Sequence, residues 1–161
     1  MTSLPLYAHT VCDTRLDNVR KLWLTDFVLT GTAETLVESR IACSLLEKDF
    51  YLYYMLTQHP GRTIVFANSI DAVRRLVNLF GYLKCCPLGL HAQMQQRQRL
   101  KNLDRFTKNP RGILIATDVA ARGLDIKDVQ HVIHYQVPRT SENYVHRRYM
   151  ATSNAGFFWC L

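Results

Sequence analysis

Four short apolar runs recur along the chain: TIVFA at residues 63–67, PLGL at 87–90, ILIA at 113–116 and VIHYQV at 132–137. Continuous hydrophobicity marks strands covered on both faces, and parallel neighbours need a long crossover between them. Helical spacing fills the gaps, so the expected fold class is α/β, a mostly parallel sheet flanked by helices. Ser69 or Asp71 can cap the helix AVRRLVNLF, with Gly81 as its stop. The stretch MQQRQRLKNLDRF is a second helix, and Pro110 and Gly112 announce the strand ILIA. VIHYQV ends at Pro138, and Thr140 or Ser141 followed by Glu142 starts the helix NYVHRR. The final run, GFFWCL, is one more strand, cut off by the end of the chain.

Upstream the pattern is weaker. ETLVESRIA alternates like a strand, and LLEKDFYLYYMLTQ sets Leu46, Phe50, Tyr53, Tyr54 and Leu56 at near-helical spacing, its tyrosines expected in the core or on its face. Residues 1–32 show no clean period. The expected division is a leader or linker over residues 1–33 and one globular domain over 34–161.

The chain has 161 residues, 48% of them hydrophobic and 20% charged, which is the composition of an ordered domain rather than a disordered one. Lys and Arg number 20 against 13 Asp and Glu, a surplus of +7 that favours a polyanion, nucleic acid first. The five cysteines, Cys12, Cys43, Cys85, Cys86 and Cys160, are odd in number and lack C-x-x-C spacing, so neither a disulfide framework nor a metal site is expected. The start, MTSLPLYAHT, lacks a basic then apolar leader, and no apolar run approaches the ~20 residues that span a bilayer. A soluble intracellular chain with reduced thiols is the expectation.

In open parallel sheets ligands gather where chains leave the carboxyl ends of strands. There the sequence puts Asn68-Ser69, then His91 with Gln96 and Arg99, then Thr117-Asp118 with Arg122-Gly123-Leu124-Asp125, then His146-Arg147-Arg148. Amides, hydroxyls and guanidiniums suit phosphate oxygens and read no base edge, which predicts sequence-independent binding. Taken singly each loop is also an ordinary polar turn, Thr117-Asp118 a helix cap, and His91 a packing residue.

ILIATDVAARGLDI, residues 113–126, resembles motif V of the DEAD-box RNA helicases. TIVFANS is similar to motif IV, LHAQMQQRQR resembles the family's L-H-G-x-x-x-Q-x-x-R, and YVHR resembles the opening of motif VI, all in family order. The wording VIHYQVPRTSENYVHR is most like a nucleolar subgroup linked to ribosome assembly. The resemblance implies a RecA-like helicase C-terminal domain. It implies that Asn68, Arg99 and Thr117 grip the RNA sugar-phosphate backbone, that Asp125 reaches the ATP ribose, and that His146 and Arg147 connect the ATP site to a partner domain. ATP with Mg²⁺ would be shared with a first RecA-like domain.

Some residues depart from the family. Ala92 stands where a Gly is usual, and Gln136 where an Asp is common. After Arg147 the family continues with a Gly and two arginines that reach the γ-phosphate, whereas here Met150 and Ser153 hold the arginine positions. Arg148 reaches one of them only if about three residues are deleted. No Gly is followed by Lys and no Asp by Glu, so neither a phosphate loop nor the acidic motif of the first domain occurs. The expected function is therefore the C-terminal domain of an ATP-dependent RNA helicase, with no catalytic residue acting in this chain alone. A stand-alone, non-catalytic RNA-binding or regulatory module is the alternative, and the motif order argues against a nucleotide-binding fold of another kind.

Overall fold

The computed structural model describes residues 37–121, 124, 126–150 and 157–161. Six strands form one sheet: β1 (Val37–Arg40), β2 (Thr63–Phe66), β3 (Leu88–Leu90), β4 (Ile113–Ala116), β5 (His131–His134) and β6 (Phe157–Cys160). Their order across the sheet is β1-β6-β5-β2-β4-β3, and every neighbouring pair is parallel. Among the described residues five helices lie between them: α1 (Lys48–Gln58), α2 (Ile70–Tyr82), α3 (Gln96–Lys108), α4 (Asp118–Ala121) and α5 (Ser141–Tyr149).

Alternation along the central strands splits the core in two. Val65 and Ala67 of the β2 run face Leu52 and Met55 of α1 and Val73, Leu76 and Phe80 of α2, while Ile64 and Phe66 face Phe106 of α3 and Ala120 and Ala121 of α4. The result is three layers, with α1 and α2 on one face of the sheet and α3, α4 and α5 on the other. Local chemistry sets the helix starts: Ser69 Oγ accepts from Ala72 N at 3.2 Å, and Thr140 Oγ1 accepts from Asn143 N at 3.2 Å.

Three expectations need correction. Gly81 does not stop α2, which runs on to Tyr82; Lys84 N still bonds Gly81 O at 3.0 Å, and the chain turns at Lys84 and Cys86, with φ of 60° and 50°. The run VIHYQV is paired only as far as His134, because Tyr135 and Gln136 are drawn into contacts at the sheet edge described below. On α1 the fully buried residues are Leu52 and Met55, outside the stripe expected, of which Leu56 packs partly against the core; Leu46 lies before the helix and is 95% exposed, and Phe50 is 58% exposed. Tyr51 and Tyr54 pack partly against the core, as expected of that helix's tyrosines, whereas Tyr53 is exposed. GFFWCL supplies β6, with Phe158 and Trp159 buried on opposite faces.

His134 is fully buried in β5, ringed by Phe158, Tyr144 and Phe66 at centroid distances of 4.4, 5.3 and 6.3 Å. Among the described residues neither ring nitrogen has a hydrogen-bond partner. Burial, reinforced by the Arg147 charge, holds its pKa down to about 3. The unfolded chain, with an ordinary histidine near 6.5, therefore binds a proton that the folded chain refuses. Stability from this group is complete above pH ~6.5 and falls by about 1.4 kcal/mol per unit as pH drops toward the folded value. Urea unfolding at pH 6, 5 and 4 should show a slope steeper by about that amount in the native chain than in His134→Leu; equal slopes would contradict a neutral buried imidazole.

Candidate functional site

Three loops leave the carboxyl ends of the adjacent strands β2, β4 and β5, carrying Asn68, Thr117-Asp118 and Tyr135-Gln136. Arg147, from the last turns of α5, enters between them and is fully buried. Its Nε and Nη2 donate to the two carboxylate oxygens of Asp118 at 2.5 and 2.7 Å. Nη2 also donates to Asn68 Oδ1 at 2.9 Å, and Nη1 donates to Gln136 O at 2.8 Å. The guanidinium lies over the Phe66 ring, 4.8 Å from its centroid. One side chain thus ties three loops together through charge-assisted, partly bidentate bonds.

The same bonds define what the neighbours can still offer. Asn68 Nδ2 donates one hydrogen to Val137 O at 2.8 Å, and the amide's second hydrogen is not used among the described residues. Asn68 N donates to Gln136 Oε1 at 2.7 Å, so the glutamine that stands where the family has an acid closes the β2 and β5 loops on each other. Thr117 is nearly buried at the start of α4; its carbonyl accepts from Ala120 N and Ala121 N, and among the described residues its hydroxyl has no protein partner. Arg99, in the first turn of α3, packs toward α4, donating from Nη2 to Ala120 O at 3.3 Å, with its Nε buried and without a partner among the described residues. Asn68, Arg99 and Thr117 therefore border one edge of the sheet, each with a polar group unused among the described residues.

His146 and Arg148 flank Arg147 and are partly exposed. Met150 packs against the second core cluster, and Tyr149 is 61% exposed. Asp125, Arg122, Gly123 and Ser153 lie outside the described residues. No three His, Cys, Asp or Glu side chains converge as a metal site among the described residues, and no helix there is long and apolar enough to cross a membrane.

A second network, unmarked in the sequence, braces the β5 and β6 end of this edge. Lys48 Nζ donates to Tyr135 O and Leu161 O, each at 3.1 Å. Arg75 forks onto Asp49 at 2.7 and 3.0 Å and donates to Tyr135 Oη at 2.6 Å, and that hydroxyl donates to Asp49 Oδ1 at 2.8 Å. Arg75 holds the Asp49 carboxyl below the usual range, while burial and Asp49 push the Tyr135 phenol up to about 12. Its members stand 26 and 60 residues from Arg75 or further apart, so no local periodicity could have revealed it.

A family model, the helicase conserved C-terminal domain, matches residues 46–149. The chain is 63% identical over 117 residues to the Homo sapiens ATP-dependent RNA helicase DDX24, covering 73% of this chain and 14% of that protein. It is 49% identical over 117 residues to the ATP-dependent RNA helicase mak5 of Schizosaccharomyces pombe, covering 73% and 18%. The chain thus spans less than a fifth of these relatives' length. Among solved structures it resembles the E. coli DEAD-box protein SrmB, crystallised with regulator of ribonuclease activity A, with a TM-score of 0.70 and 32% identity over 82% of this chain and 78% of that one. It also resembles Mss116p DEAD-box helicase domain 2 bound to an RNA duplex, with a TM-score of 0.65 and 25% identity over 78% of this chain and 53% of that one.

Removing one member of a buried pair strands the other charge, which costs about 3–5 kcal/mol. Arg147→Ala and Asp118→Asn should each lower the urea-unfolding free energy by roughly that amount. The double variant should lose much less than the sum, since the two deletions remove one shared interaction. Additive losses would mean that the pair is not coupled.

Proposed function

Since the chain belongs to the helicase conserved C-terminal domain family of the DEAD-box proteins, we propose that it supplies the RNA-backbone grip and half of an interdomain ATP site in an ATP-dependent RNA helicase. The RNA track is Asn68, Arg99 and Thr117. What supports it is one observation: these three residues, from motifs far apart in sequence, border the same sheet edge, each with donor capacity unused among the described residues. A phosphate chain laid across them meets an amide, a guanidinium and a hydroxyl, none of which distinguishes bases.

On the nucleotide side the proposal assigns Asp125 to the ATP ribose and His146 and Arg148 to the domain junction. Arg147 acts there as a positioning residue: its guanidinium is buried and committed, so it serves by holding Asn68, Asp118 and Gln136 in place. ATP with Mg²⁺ binds between this domain and a first RecA-like domain, which brings the phosphate loop and the metal acid. Closure of the two domains completes the site and bends the bound strand. A place in nucleolar ribosome assembly belongs to the same proposal, supported by the resemblance of residues 132–147 to that subgroup.

Taken alone, the chain should bind single-stranded RNA weakly and without sequence preference, with a dissociation constant of about 10⁻⁴ to 10⁻⁶ M that rises steeply with salt. Arg99→Ala and Thr117→Val should weaken that binding, and Asp125→Ala should leave it unchanged. Anisotropy titrations at several salt concentrations, with folding checked by circular dichroism, test this. Equal losses from all three variants would refute the division of roles.

Joined to a competent first domain, the chain should show little RNA-stimulated ATP hydrolysis, because Met150 and Ser153 hold the positions of the family's two finger arginines. An arginine finger contributes about 10³ to 10⁵ in rate, roughly 4 to 7 kcal/mol of transition-state stabilisation. Phosphate release by the fusion should rise sharply when residues 148–153 are replaced by the family's finger segment. Equal, robust turnover in both forms would overturn the assignment.

A further inference from the structure

Beside the proposed RNA track, a cleft of about 270 Å³ opens between α2 and α3 above the edge strand β3. Its walls are aliphatic, formed by Val73, Val77 and the Met94 thioether, and its floor is Gly89. A Cβ on Gly89 would come within 3.2 Å of Val77 Cγ2 and 3.7 Å of Val73 Cγ1, so the missing side chain is what leaves the floor open. The polar groups nearby are largely accounted for. Asn102 Nδ2 donates to Gly89 O at 2.8 Å and Asn102 Oδ1 accepts from Gln98 at 3.0 Å, which satisfies the outer edge of the strand.

His91 is the exception. Nine-tenths buried in the lining, it has an Nδ1 that is itself buried and has no partner among the described residues. Burial and the nearby Arg74 charge lower its pKa, so the imidazole stays neutral with one donor and one acceptor nitrogen. Arg74, held by Gln93 Oε1 at 2.9 Å and 3.9 Å from the exposed Asp71 carboxylate, stands at the rim with Asn78, and among the described residues no carboxylate lines the cleft. The site therefore offers a narrow apolar slot, a neutral imidazole in its lining and an arginine at its mouth. That combination fits a flat heteroaromatic body attached to an anion.

The position agrees with this chemistry. His91 follows β3 directly, and α3 carries Arg99 one helical turn, about 5 Å, from Asn102 in the lining. We propose that the cleft receives one unpaired base of an RNA strand held at Arg99 and Thr117, gripping it between Val77 and Met94 against His91. This rests on the RNA-backbone reading above and adds to it a base-dependent, sequence-tolerant contribution, because every base presents a planar face.

The test uses the full chain and two fluorescein-labelled RNA strands of equal length, an oligoadenylate and its fully abasic counterpart with the same phosphates. The native chain should bind the oligoadenylate about fivefold to tenfold more tightly by anisotropy. Asn78→Trp, which fills the mouth from an exposed position, and Met94→Ala, which removes one wall, should each reduce the oligoadenylate to the abasic level without changing affinity for the abasic strand. Thermal melts confirm that each variant is folded, and the pair guards against failure of one. Equal binding of both strands by the native chain would overturn the base pocket and leave the backbone grip standing. A preference that survives both substitutions would also overturn it, and binding to neither strand would sink both readings.

Discussion

The guanidinium of Arg147 is the interaction on which the carboxyl edge of the sheet depends. Moving such a cation out of water is costly, and a lone carboxylate seldom compensates fully. Here Asp118 takes two of its hydrogens, Asn68 and the Gln136 carbonyl take others, and the Phe66 ring covers one face. What the arrangement secures is geometry. The loops after β2 and β5 bond each other through Asn68, Gln136 and Val137, and the one fully buried arginine adds the β4 loop and fixes the spacing of all three. A hydrophobic substitute could fill the volume but could not set the direction of four hydrogen bonds.

Two networks meet at adjacent residues. Tyr135 is gripped by Lys48, Asp49 and Arg75 from α1 and α2, while Gln136 is gripped by Arg147 and Asn68 from the other side. The turn after β5 is thereby held from both faces of the sheet, which is why strand pairing stops at His134 although the apolar run continues to Val137. His134 sits directly beneath, neutral among aromatic rings and without a hydrogen-bond partner among the described residues. A charge there would lie against the Arg147 guanidinium with no solvent to screen it.

Much of the architecture was legible in the residues themselves. Continuous apolar runs at 63–67 and 113–116 could only be strands covered on both sides, and Ser69 and Thr140 cap helices as their side-chain chemistry predicts. Gly81 misled because a glycine only permits a helix to end; with its backbone bonds still available, α2 continued to Tyr82. The stripe on α1 misled because Leu46 and Phe50 satisfy helical spacing as well as Leu52 and Met55 do, and the choice of buried face belongs to the sheet on which the helix lies.

The candidate site divides in the same way. Thr117, Arg99 and Asn68 were recognisable from their motifs, since each motif is a local string. Asp118 and Gln136 as partners of Arg147 were not, because they stand 29 and 11 residues from it and only the strand order brings them together. Sequence by itself determined the parallel α/β class, the helix starts and the basic, motif-bearing loops, all properties of neighbouring residues and their period. Tertiary structure decided which arginine is buried and which remains exposed, how the β2, β4 and β5 loops converge, and where a cleft opens over Gly89. Those outcomes depend on distances between segments remote in the chain, which no periodicity records and only packing sets.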